Sequence, residues 1–264
     1  MRQKAGAEIA VIGGTGLEEL LEGPEEVRIG TPYGLPPRIK VGEIAGRRVA
    51  ILPRHGPGHE HPPHRVNYRA NIWALRALGV ERILATNTVG AINPEIRPGD
   101  LVVPHDIVDF TRLRAQTFYE GPEVVHIDVS EPFCPELRAI LVQAARAKHG
   151  RVRDGAVLVV TEGPRFETPA EIRAFRILGC DIVGMTAAPE VFLARELEMC
   201  YASLCLVSNM AAGLQERLTA TEVTELAARM QEVVRDIIVE AISRIPEERN
   251  CPCARALEGA RLKP

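Results

Sequence analysis

Five short segments of this 264-residue chain carry side chains able to grip an anion or a heterocycle. In Gly13-Gly14-Thr15-Gly16, glycines let backbone N–H groups turn toward an anion, and the Thr15 hydroxyl adds a donor. The pattern lacks the Lys of a P-loop and is not a complete G-x-G-x-x-G, so a plain tight turn fits it equally well. Arg54-His55-Gly56 offers a guanidinium that forks onto two phosphate oxygens and an imidazole as a second donor. Thr86-Asn87-Thr88-Val89-Gly90 reads either as hydroxyls and amides gripping phosphate and ribose, or as a capped turn. Glu162-Gly163-Pro164-Arg165-Phe166-Glu167 sets a ring that can stack on a base, Phe166, beside a carboxylate that can hydrogen-bond it, Glu167. Core packing of Phe166 and a helix-start acid at Glu167 are the competing readings. Asn209 has both a donor and an acceptor, as a purine edge requires, and a turn asparagine is its alternative.

A sixth segment, His59-Glu60-His61-Pro62-Pro63-His64, concentrates three histidines. Its prolines break any helix that would align them, and the spacing matches no common zinc pattern. It is expected to be a phosphate loop or a subunit contact rather than a metal site.

These segments need a scaffold that brings them to one place. Ala7–Ile12 is predicted as a strand stopping at Gly13-Gly14, and Arg38–Ile44 with Arg47–Leu52 as a hairpin. Further strands are predicted at Arg82–Ala85, Leu101–Pro104, Val157–Val160, Asp181–Met185 and Tyr201–Ser208. Helical spacing marks Val66–Gly79, Cys134–His149, Thr168–Leu178, Pro189–Leu197 and Thr219–Arg244. Thr168 followed three residues later by Glu171 predicts a capping box. Strands separated by helices imply an α/β fold: one domain over residues 1–264, a mixed twisted sheet flanked by helices. In such folds ligands gather beyond the carboxyl ends of the strands, where most of the polar segments fall.

Composition adds limits. Hydrophobic residues make up 46% and charged residues 25%, an ordinary globular balance. A net charge of −3 favours neither nucleic acid nor an anionic membrane. No apolar run approaches the roughly 18 residues of a bilayer span, and the N-terminus is too short and polar for a signal peptide, so a cytoplasmic protein is expected. Cys134, Cys180, Cys200 and Cys205 are predicted as buried free thiols. Cys251 and Cys253 flank Pro252 in a tail, 247–264, expected to be partly mobile; they are either free thiols or a small strained disulfide ring.

From about Ile9 to about Ile245 the chain resembles the trimeric purine nucleoside phosphorylase and methylthioadenosine phosphorylase family. The resemblance rests on Gly13–Leu17, Arg54-His55-Gly56, Val66–Leu75 (VNYRANIWAL), Glu131–Pro135 (EPFCP), Glu162–Phe166, and Met185-Thr186 with Pro189-Glu190, in that order. It implies phosphate held by Thr15, Arg54, His55, Asn87, Thr88 and Thr186, with Met185 under the ribose and Phe166 against the base. Asn209 would hydrogen-bond N7 and Glu167 the N1 side. His126 would reach into a neighbouring copy, so a homotrimer or a dimer of trimers is implied. Phosphate is then a co-substrate, and no cofactor, metal or covalent intermediate is needed.

Two departures bear on the substrate. Adenine-specific relatives carry Asp at the positions of Asn209 and Ala211, and Ser at that of Glu167. Glu167 can accept from the N1–H of hypoxanthine or guanine, whereas adenine presents a lone pair there. Inosine-cleaving relatives place a His early in the last long helix against the 5′-hydroxyl. Here Leu218-Thr219-Ala220-Thr221 stands in that region and no His follows His149. The implied substrates are inosine, guanosine and S-methyl-5′-thioinosine. The alternatives are a methylthioadenosine phosphorylase and, in another class, a non-catalytic nucleoside- or phosphate-binding regulator.

Overall fold

The computed structural model describes residues 6–13 and 16–262. In chain order the elements are β1 (Ile9–Gly13), β2 (Glu22–Val27), β3 (Ile39–Ile44), β4 (Arg47–Pro53), α1 (Tyr68–Ala77), β5 (Arg82–Ala91), β6 (Leu101–Val103), β7 (Asp106–Phe110), α2 (Pro135–Lys148), β8 (Val152–Asp154), β9 (Val157–Thr161), α3 (Pro169–Ile177), β10 (Ile182–Gly184), α4 (Ala187–Glu196), β11 (Cys200–Met210) and α5 (Ala220–Arg244). The strands form one mixed sheet along the path β2-β3-β4-β1-β5-β10-β9-β7, with β11 branching off β5 to β6 and then β8. The predicted α/β class with a mixed sheet and flanking helices is therefore what the chain adopts.

The helices form where the sequence supplies both an apolar stripe and a start signal. Thr168 and Glu171 satisfy each other's backbone N–H groups at the head of α3, and Thr219 with Glu222 does the same for α5. Asn67 caps α1 by accepting from Ala70 N–H. One apolar layer packs α1 and α4 against one face of the sheet, and a second packs α2 and α5 against the other. No described helix is long and apolar enough to cross a membrane.

β5 is the axis of the molecule. Its first half pairs parallel with β1, its end pairs antiparallel with β10, and β11 runs parallel along its whole length. The register of β11 against β5 slips between Val207 and Asn209, so Ser208 is an extra residue in that strand.

Three differences from the predicted elements matter. Thr86–Gly90, read as a turn, lies within β5, because β11 supplies a continuous ladder that the local sequence does not reveal. Asn209 likewise lies inside β11 rather than beyond it. The tail is folded against the body as far as residue 262. A 3₁₀ turn at Pro252–Arg255 buries Cys253, and Val125 pairs with Arg261.

Candidate active site

The carboxyl ends of β4, β5, β10 and β11 surround a cavity of about 610 Å³, closed on one side by α5. Such a volume suits a small organic ligand together with an anion. Arg54, His55, Asn87, Thr88, Phe166, Glu167, Met185, Thr186 and Asn209 all line it. Thr15 lies outside the described residues. Ala211 does not line the cavity; it is buried in an apolar cluster with Ile92, Phe175 and Val183. His126 is exposed in a different cavity, beside Asp128 and Arg195. Within one chain it cannot join the other site residues.

The cationic part of the cavity is built around Arg54, which is 2% exposed. Its Nε and Nη2 donate to the two carboxylate oxygens of Glu190 at 2.8 and 2.7 Å, and Nη1 donates to the Thr86 carbonyl at 3.0 Å. Tyr201 donates its hydroxyl to the same carboxylate at 2.7 Å. Burial alone would lower the guanidinium's pKa, but the Glu190 charge more than offsets this and holds Arg54 cationic. Glu190 is fully buried. Three of the five guanidinium N–H groups are committed to the protein, which leaves two for an anion.

Burial, then the charge of Arg54, pushes the pKa of His55 down to about 4, so the ring is neutral near pH 7. Its Nδ1 lies 2.7 Å from the His61 carbonyl and must carry the hydrogen there. Nε2 is then an acceptor rather than a donor. His59 stacks on the ring at 4.1 Å between centroids.

Thr186 donates its hydroxyl to Asn87 Oδ1 at 2.6 Å, and Asn87 Nδ2 donates to Ser203 Oγ at 2.6 Å. Asn87 thus ties the Met185-Thr186 segment to β11 as well as lining the cavity. Asn209 accepts from Ser208 Oγ at 2.5 Å and donates to the Met210 carbonyl at 2.8 Å. One amide hydrogen and one oxygen lone pair remain for a ligand. Glu167, 8% exposed, accepts from Thr161 Oγ1 at 2.7 Å. Burial raises its carboxyl pKa above the usual value, and the Thr161 hydrogen bond opposes that shift.

Two supporting residues escaped the sequence reading. Arg114, with its side chain almost fully buried, donates to the carbonyls of Met185, Ala188 and Glu162 at 2.8, 2.6 and 2.7 Å. It pairs with the Glu162 carboxylate at 3.1 Å. One side chain thereby fixes the two loops that carry Met185 and Phe166. Nothing around Arg114 in the sequence marks this role. Glu190 was visible only as part of a motif, and its partner lies 136 positions away.

On the α5 side, Ala220, Val223, Thr224 and Ala227 line the cavity at helical spacing. Gly16 approaches the Gln231 side chain of this helix. Its φ is 94°, in the left-handed region that strains any other residue.

The signature of the Phosphorylase superfamily matches residues 8–243. The chain is 55% identical over 258 residues to the probable S-methyl-5′-thioinosine phosphorylase of Methanopyrus kandleri, covering 97% of this chain and 99% of that protein. It is 51% identical over 261 residues to the 6-oxopurine nucleoside phosphorylase of Pyrococcus furiosus, covering 96% and 98%. Among solved structures, a methylthioadenosine phosphorylase from an antarctic soil metagenomic library superposes with a TM-score of 0.94 at 37% identity, covering 99% and 94% of the two chains.

Proposed function

The chain belongs to the phosphorylase superfamily, and from that premise we propose that it cleaves 6-oxopurine nucleosides with inorganic phosphate. Inosine, guanosine and S-methyl-5′-thioinosine are the substrates. The products are the free base and ribose 1-phosphate or its 5-methylthio counterpart, as purine salvage requires. The observation that carries this reading is the presence in one cavity of a charged Arg54, a carboxylate at Glu167 and an amide at Asn209. An adenine-specific site would not place an ionised carboxylate against the N1 lone pair.

Phosphate sits on Arg54 and Thr88, with Thr15 as a further donor and Thr186 joining once its hydroxyl turns from Asn87, and the neutral His55 accepts the hydrogen of a monohydrogen phosphate. The C1′–N9 bond breaks ahead of attack, the sugar becomes oxocarbenium-like, and the phosphate dianion stabilises that cation. A phosphate oxygen then bonds to C1′, while the electron pair of the broken bond stays on the purine, which becomes the neutral base by taking up a proton from solvent in exchange for the one the phosphate ester releases. Asn209 stabilises that charge at the N7 side and Glu167 holds N1–H. Holding both reactants in line contributes about 5 kcal/mol or more. Phe166 and Met185 flank base and ribose. The partly apolar α5 wall supports a 5′-methylthio group as well as a hydroxyl. His126, exposed and outside the cavity, supports an assembly in which it closes a neighbour's sugar site, a homotrimer or a dimer of trimers.

The deciding experiment is a substrate panel: inosine, guanosine, S-methyl-5′-thioinosine, adenosine and methylthioadenosine, each with and without phosphate. Cleavage that depends on phosphate and yields a sugar 1-phosphate is expected. Equal rates in phosphate-free buffer, with free ribose released, would identify a hydrolase instead.

A pH profile tests Glu167 separately. Its ionised form is the stronger acceptor for N1–H, and burial raises its pKa. The value of kcat/KM for inosine should therefore fall on the acid side with a midpoint above the usual carboxylate range. Glu167→Gln should remove that limb and lower the plateau by about 1–2 kcal/mol, the gap between charged and neutral hydrogen bonds. The wild-type-to-variant ratio cancels the titration of phosphate itself. A ratio that does not change with pH would end the role given to Glu167.

A further inference from the structure

Four cysteines that the sequence scatters over more than a hundred residues meet at one point. Cys134 caps α2, Cys200 opens β11, and Cys251 and Cys253 belong to the 3₁₀ turn of the tail. Their Sγ atoms all lie within 4.8 Å of one another, and those of Cys200 and Cys251 are 3.3 Å apart. We propose that these four thiolates bind one zinc ion in a tetrahedral site that fastens the tail to the body of the enzyme.

The geometry fits. Zinc–thiolate bonds of about 2.3 Å in a tetrahedron place sulfurs about 3.8 Å apart, inside the span found here. Soft sulfur donors in this arrangement select zinc over hard cations. The site is also enclosed as a structural zinc site must be: Cys134, Cys200 and Cys253 are each no more than 1% exposed.

The surroundings answer the charge. Four thiolates on a divalent ion leave a net charge of −2, which a buried site must offset. Arg195, 7% exposed, points Nη1 at Cys253 Sγ at 3.5 Å. Its Nε is buried without a hydrogen-bond partner, and among the described residues the exposed Asp128 acts on it only from beyond salt-bridge distance. A buried guanidinium without a directly paired anion is costly, and a tetrathiolate centre supplies one. The Leu137 N–H also reaches Cys134 Sγ at 3.5 Å, from the positive end of α2. Such donors are what thiolate ligands use around a metal.

The site holds more than itself. Beyond Cys253 the chain returns to residues 124–126: His126 N–H donates to the Ala260 carbonyl at 2.9 Å, and Leu262 N–H to that of Val124 at 3.1 Å. Zinc would thus fix the segment that carries His126.

The test uses the full-length protein purified without chelator. Elemental analysis should give about one zinc per chain, and X-ray absorption should show four sulfurs at about 2.3 Å. Cobalt-substituted protein should absorb in the visible as a tetrahedral thiolate complex. Cys253→Ser and Cys251→Ser should each retain less than about a tenth of the wild-type zinc. Wild-type metal content and absorption decide the matter even if these variants fold poorly. Zinc-free protein that takes up no zinc when it is added in reduced form overturns the proposal. So does an intact mass short of four hydrogens in the purified protein, which would mean two disulfides. Zinc that survives both substitutions would place the metal elsewhere and also overturn it.

Discussion

Arg54→Met is expected to destabilise the protein by about 3–5 kcal/mol, because it strands the carboxylate of Glu190 in the interior. Glu190 is fully buried and its two oxygens are engaged by Arg54 and Tyr201. Without the guanidinium it must either stay charged in an apolar setting or take up a proton. The same change removes the only cation that we assign to phosphate, so turnover should fall by about 10²–10³-fold or more. The two effects are separable. Arg54→Met combined with Glu190→Gln removes both charges and keeps an acceptor for Tyr201. It should recover most of the stability in urea unfolding while leaving phosphorolysis lost. If the single variant keeps its KM for phosphate, Arg54 is only a structural ion pair. If the double variant is no more stable than the single one, the account of the buried pair is wrong.

Asn209→Asp should lower kcat/KM for inosine by about 2–4 kcal/mol, roughly 30- to 1000-fold, and raise the relative rate on adenine nucleosides. The structure gives a reason beyond base pairing. Asn209 Nδ2 donates to the Met210 carbonyl, and an Asp oxygen in that place would face another oxygen. A carboxylate there must turn or take up a proton. A protonated Asp can donate to N7, which suits an adenine leaving group. A full change of base also needs Glu167→Ser and Ala211→Asp, and these neighbours will not act additively. Ala211 is 1% exposed among apolar residues, so an Asp there should also reduce stability. Measured on the substrate panel, the wild type must favour inosine over adenosine by at least about tenfold. A preference for adenosine or methylthioadenosine would sink the roles given to Asn209 and Glu167, while phosphorolysis would stand.

The residues of the cavity were legible in the sequence because each sits on a short polar segment after an apolar run. Their supports were not. Arg114 serves carbonyls from two distant segments, and no local pattern reports that. Glu190 is charged yet wholly buried, which only its distant partner Arg54 explains. Among the elements, helices with cap and stripe together were found within two residues of their ends. β2, an exposed strand containing Gly23, Pro24 and three glutamates, contradicts every strand preference and was missed. β7, in which aspartates interrupt Ile107, Val108 and Phe110, and the three-residue β8 were missed too. Thr86–Gly90 misled for a related reason. Threonine and asparagine in sequence suggest a turn, while pairing with β11 makes the segment a strand.

The slipped register near the end of β11 has a consequence for how this site can change. Leu204, Leu206 and Ser208 line the cavity with the two-residue alternation of a regular strand, and Asn209 lines it as well. Strict alternation forbids two successive side chains on one side. The surplus residue opposite β5 is therefore what lets a hydroxyl and the amide it orients point the same way. Deleting Ser208 would perfect the ladder and leave Asn209 opposite Gly90, but without the hydroxyl that orients its amide. Regularity of the sheet and recognition of the base are thus opposed at this spot. A redesign that scores backbone order alone would erase the hydroxyl that orients the amide we assign to base recognition.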